Sequence, residues 1–126
     1  MTGDFDALVR SLTARMLSRK YFIVLWKAHD KPDLIRRLLP DHLKFLIALE
    51  KDGKVFGSGP LGGPGARPGD GLTILRVDSA AEAHAIAEKD PFVAAGARGF
   101  DIREWTLMEG SVNLRVDFSD QSVVFD

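Results

Sequence analysis

The segment from Tyr21 to Trp26 (Tyr-Phe-Ile-Val-Leu-Trp) is the longest apolar run in the chain, and it limits the possible folds more than any other feature. Its six residues cannot span a bilayer, which takes about twenty residues of helix. The run has neither helical nor alternating period and is rich in aromatic and β-branched residues. It therefore reads as a strand covered on both faces. With 126 residues, 45% of them hydrophobic, the chain has material for one domain with an ordinary core and not for two full-sized ones. A disordered tail, a collagen-like fibre and a membrane protein are excluded on the same grounds.

Around this strand the pattern alternates. Phe5, Leu8, Val9, Leu12, Met16 and Leu17 recur at helical spacing, which predicts an amphipathic helix over 4–18 that needs something to dock on. Asp30 followed by Pro32 predicts a helix start with Asp30 as cap. That helix, over 32–51, should break or kink at Pro40, placing His42 on the first turn of a second segment. Asp52-Gly53 ends it. A short strand over 55–59 leads into a Gly/Pro-rich loop over 60–71, read as mobile, and a strand over 72–77 follows. Ser79 and Glu82 form a capping box for a helix to about Lys89. Asp90-Pro91 restarts a short helical turn closed by Gly96, and a strand over 100–107 follows. Glu109-Gly110 turns the chain into a further strand over 111–118, where Val112, Leu114, Val116 and Phe118 alternate with polar neighbours.

The order is an added helix, then β-α-β-β-α-β, then an added strand. The central six elements are the ferredoxin-like α+β pattern, so the reading is a single domain over 1–126 with its core over 20–107. Helices cover only one face of such a sheet. The other face is covered by the added elements or by a second copy, and a homodimer is the simplest cover.

Seventeen Lys and Arg against eighteen Asp and Glu leave a net charge of −1, so no overall field would collect nucleic acid or anionic lipid. The balance is uneven, +4 over 1–40 and −5 over 41–126, but the basic residues are spread out like a solvated face. Cysteine is absent, which removes disulfides, thiolate nucleophiles and Cys-based metal sites. Asp4 and Asp6 stand where a signal peptide would be basic, so the expected location is the cytoplasm.

Several sites can be set aside on motif grounds. Gly57-Ser58-Gly59 lacks the spacing of a nucleophile elbow. The 60–71 loop lacks the Gly-Lys-Ser/Thr end of a phosphate loop, and His29, His42 and His84 share no metal spacing. What remains is His42 with Asp41 and Asp90. A histidine oriented by a carboxylate can act as general acid or base. The plainer readings are an Asp90 that caps the helix before Pro91 and a His42 that is a solvated surface residue. Spacing leaves both open. His84 and the two tryptophans, Trp26 and Trp105, read as packing or surface residues.

The segments Tyr21–Trp26, Asp41–Leu43, Phe56–Pro60, Gly71–Leu75, Glu82-Ala83, Asp90–Gly96 and Ile102–Trp105 occur, in that order, as in the YCII-related (YciI-like) family, which this chain resembles over about 21–107. The resemblance implies a dimeric ferredoxin-like α+β barrel and a His-Asp dyad in a cleft, falling on His42 and Asp90. It implies a small enzyme without cofactor that performs acid–base elimination or isomerisation, dehydrochlorinase-like, on a small polar or aromatic metabolite. Gly59, Pro60 and Gly71 are then substrate-facing, with backbone N–H groups near Gly59 or Gly71 available to a developing oxyanion. His29, a polar residue leaving the first strand, is a further candidate for the same cleft. Neither metal, nucleic acid nor membrane is expected as a partner. The alternative reading is a non-catalytic homodimeric module that binds a small ligand or a partner protein through the 60–71 loop and the terminal additions.

Overall fold

The computed structural model describes residues 2–125. The chain divides into two compact units, Lys20–Thr106 and the paired ends Met1–Arg19 with Leu107–Asp126.

In the first unit, β1 (Arg19–Ala28), β2 (Val55–Pro60), β3 (Gly71–Leu75) and β4 (Arg98–Leu107) form one sheet in the order β2-β3-β1-β4, the ferredoxin-like order. β3 pairs antiparallel with both β1 and β2. Its helices are α2 (Pro32–Lys51), α3 (Ala80–Glu88) and the short α4 (Pro91–Ala94). Along β1 the pleat sorts the apolar run. Phe22, Val24 and Trp26 are buried with Leu75, Val77, Ala83 and Ala87 to form the core. On the alternate positions, Ile23 and Leu25 are only half-buried, opposite half-buried Ile74 and Leu72. Only one face of the strand is thus fully covered, where the patternless run predicts two.

α2 corrects two expectations. It runs unbroken through Pro40, so His42 stands in mid-helix and not on a first turn. Ile35 and His42 are two turns apart, hence on one face, and both are buried. Packing on both sides of the proline outweighs its helix cost, about 3 kcal/mol in an unpacked helix. The helix cap is Lys31, without a side-chain bond, while Asp30 takes a left-handed turn with φ 59°. Pro32 occupies the first turn as expected. Half of the capping box forms, with the Glu82 N–H donating to Ser79 Oγ at 3.1 Å, while the Glu82 carboxylate accepts from the Asp78 N–H at 3.3 Å.

In the other unit, α1 (Thr2–Thr13) is shorter than the periodicity predicts, and its apolar residues Phe5, Leu8 and Leu12 are exposed. The expected single strand over 111–118 is instead a hairpin of β5 (Leu114–Asp117) and β6 (Ser122–Phe125). Its turn is made by Gln121 at φ 58° and by the Asp120 carboxylate, which accepts from the Ser122 N–H at 3.0 Å. Without glycine or proline there, the turn carries little sequence signal. Among the described residues, no helix is long and apolar enough to cross a membrane.

Candidate functional site

Asp90 immediately precedes Pro91, but its side chain makes no cap bond to α4. Its carboxylate is fully buried and is satisfied at long range. His42 Nδ1 donates to Oδ1 at 2.6 Å, and Arg98 Nε donates to Oδ2 at 3.0 Å. A buried carboxylate without partners would be prohibitive, and here two donors meet it. An ionised carboxylate only accepts, so Nδ1 carries the imidazole proton and Nε2 is left as the free ring nitrogen.

Local chain geometry delivers each of these groups. His42 rides on the buried face of α2 and stacks on Phe92 of α4, with ring centroids 4.3 Å apart. α4 ends in a Schellman turn, in which the Ala97 N–H donates to Phe92 O and the Gly96 N–H, with Gly96 at φ 76°, donates to Val93 O. The chain thus reverses within a few residues and sends Arg98 back beside Asp90. Arg98 Nη1 donates to Gly69 O at 3.0 Å, and the guanidinium lies over the Trp26 ring at 3.9 Å and the Phe92 ring at 4.9 Å. Burial pushes the Arg98 pKa below its ordinary value while Asp90 opposes the shift, and the group stays charged. Gly69 must be glycine: at φ 104°, an added Cβ would fall 2.8 Å from Ile35 Cδ1. A second polar chain lies alongside, where Trp26 Nε1 donates to Thr73 Oγ1 at 2.8 Å and Thr73 meets Ser58 Oγ at 2.8 Å.

These groups open on a cavity of about 680 Å³ between α2 and β2. His42, Arg98, Trp26 and Phe92 line it, together with Gly59, Pro60 and Gly71, three of the positions singled out from sequence. His29 does not join them: its Nδ1 lies 3.1 Å from Gly96 O, and it is absent from the cavity wall. The loop over 61–70 is tied to β1 at its end. Asp70 accepts from the Ala28 N–H at 2.8 Å and the Arg67 N–H at 2.9 Å, and these bonds hold its carboxyl below the ordinary carboxylate range. No cluster of three or more metal-ligating side chains occurs among the described residues. Arg98 escaped the sequence reading. The only local hint is a charged residue set between Ala97 and Gly99 just before a strand.

The model of the YCII-related domain family matches residues 20–106, most of the chain. The chain belongs to the YCII-related family. None of the curated proteins matches it. Among solved structures it is similar to 5-chloro-2-hydroxyhydroquinone dehydrochlorinase from Burkholderia phenoliruptrix AC1100, determined in complex with 2,5-dihydroxybenzoquinone. The two share 23% sequence identity with a TM-score of 0.53, over 68% of this chain and 92% of that one. At that identity the likeness speaks to the fold. It agrees with the ferredoxin-like sheet order.

Proposed function

We propose that this YCII-related protein is a small acid–base enzyme in which His42 moves a proton on a small polar or aromatic metabolite and Asp90 orients the imidazole. The observation that carries the reading is the 2.6 Å bond from His42 Nδ1 to a fully buried Asp90, with His42 on the cavity wall. That bond leaves Nε2 as the nitrogen available to a ligand, which is what a general base requires. Nε2 takes a proton from an sp³ carbon beside a carbonyl, such as the keto tautomer of a phenol, and the C–H electron pair moves into conjugation with that carbonyl as an enolate. In an isomerisation, His42 returns the proton to a different carbon. In an elimination, the enolate electrons expel a leaving group such as chloride and form a double bond. Asp90 keeps Nδ1–H in place and stabilises the imidazolium between the two steps. The structural neighbour's dehydrochlorinase activity on a chlorinated hydroxyhydroquinone supports elimination as the first reaction to assay.

The test is a panel of chlorinated hydroquinones and unsaturated lactones, with chloride release and deuterium uptake from D₂O as readouts. Turnover of the accepted substrate should fall about 10²–10⁴-fold in His42→Ala while the fold is retained. Unchanged turnover in that variant would remove His42 from the chemistry.

We also propose that the protein is a homodimer joined through the open sheet face. Support comes from the half-buried apolar pairs Ile23/Ile74 and Leu25/Leu72 on neighbouring strands, and from the dimeric barrel that the family resemblance implies.

A further inference from the structure

Once His42, Asp90 and Arg98 are paired, one enclosed nitrogen, Arg98 Nη2, stays without a partner among the described residues. Both oxygens of Asp90 are taken, one by His42 and one by Arg98. On Arg98, Nε is spent on Asp90 and Nη1 on Gly69 O, but Nη2 is enclosed and has no partner among the described residues. An arginine side chain offers five N–H donors, and leaving enclosed ones unfilled is costly enough that folded proteins seldom do it without a ligand in view. Arg98 is only 4% exposed and its guanidinium lies against the Trp26 and Phe92 rings, but the residue forms part of the cavity wall, from which a ligand can approach it.

We propose that Arg98 Nη2 is the receptor for an anionic oxygen of the cavity's ligand, which makes the ligand class a small organic anion with its charge on an sp² oxygen, a carboxylate or an enolate. Three observations converge on it. The free donor belongs to a cation held out of water, where a charge-assisted bond is strongest. Guanidinium N–H groups lie in one plane and match the in-plane lone pairs of carboxylate and enolate oxygens. Among the described acidic groups, Asp90 is doubly engaged, Asp70 on the cavity wall is held by the Ala28 and Arg67 N–H groups, and Glu50, also on that wall, is exposed and lies 3.8 Å from Lys51 Nζ. This assignment rests on the reading of the cavity as the ligand site and extends it. It gives the enolate formed by proton loss to His42 a partner, a role that sequence reasoning gave to the N–H groups near Gly59 and Gly71. Both glycines line the same cavity, as register partners of Leu72 and Pro60 in the sheet.

The test measures binding without turnover. Benzoate and benzamide, matched in shape and differing in charge, are titrated by calorimetry into the full chain, its Arg98→Lys variant and its His42→Gln variant. The wild type should prefer benzoate. Arg98→Lys, whose ammonium still faces Asp90, should weaken benzoate by about tenfold or more and leave benzamide unchanged. A merely structural lesion would weaken both probes together. His42→Gln should keep the benzoate preference, so a failure of the proton-transfer proposal would leave this result standing. Equal affinity for the two probes in the wild type, no benzoate binding at all, or an undiminished benzoate preference in Arg98→Lys would each overturn the assignment. The wild-type comparison decides even if Arg98→Lys fails to fold.

Discussion

At Asp90 two rules compete for one carboxylate. The local rule makes an Asp before a Pro a helix cap. The long-range rule makes a fully buried charge seek charged or strongly polar partners. Burial decides, and Asp90 serves His42 and Arg98 while α4 goes without a side-chain cap. Removing it therefore costs more than a lost cap. Asp90→Ala would leave the buried Arg98 cation without its counter-ion, and urea denaturation should show a loss of about 3–5 kcal/mol. A loss near 1 kcal/mol, the usual value of a cap, would mean the ion pair contributes little. The two members of the dyad were legible in the sequence as candidates through the family resemblance, since spacing left open a capping Asp90 and a solvated His42, and the helix start expected just before His42 does not exist. Arg98 was not, because its importance arises from the rings and the carboxylate around it, which local sequence does not encode. Trp26 is similar. Its size marks it as a core anchor, and only the folded chain shows it also covering a guanidinium and bonding Thr73.

Elements with strong local signals formed where expected, and elements set by tertiary forces did not. The Ser79 cap of α3 and the Pro32 start of α2 appear as read. The break at Pro40 does not, because α2 is packed on both sides of the proline, and the terminal hairpin turns at Asp120-Gln121 without a glycine or proline to announce it. The 60–71 segment has the composition of a mobile loop, yet the Asp70 carboxylate fastens its end to Ala28, the last residue of β1. That bond gives the segment an acid sensitivity. The folded-state pKa of Asp70 is lowered, first by the Ala28 N–H and then by the Arg67 N–H, so its contribution to stability is full above the ordinary carboxylate value. The contribution fades as pH falls through the lowered value, below about pH 4. Hydrogen exchange at the Ala28 amide should accordingly quicken below that pH, relative to neighbouring amides of β1. In Asp70→Asn it should be faster at neutral pH and show no such acid step. An acid step that persists in Asp70→Asn would assign the effect to another group.

For the whole molecule, the sheet order was legible because the β-α-β-β-α-β sequence of elements leaves few topologies open, and the family match over 20–106 agrees with it. What lies on the open sheet face was less legible, since the run Tyr21–Trp26 looks equally apolar on both sides. Half-burial of Ile23, Leu25, Leu72 and Ile74 shows which side lacks cover. A second copy on that face predicts a solution mass of two chains by light scattering, reduced to one chain in Ile74→Lys. A wild-type mass of one chain would refute the dimer. The central claim, however, concerns one ring. Nitrogen-15 NMR of histidine-labelled protein reads the His42 tautomer without any substrate. The expected result is a protonated, pyrrole-type Nδ1 and a bare, pyridine-type Nε2 at neutral pH, with the preference lost in Asp90→Asn. A proton resident on Nε2, or rapid averaging between the two nitrogens, would contradict an imidazole fixed by Asp90 and poised as a base toward the cavity.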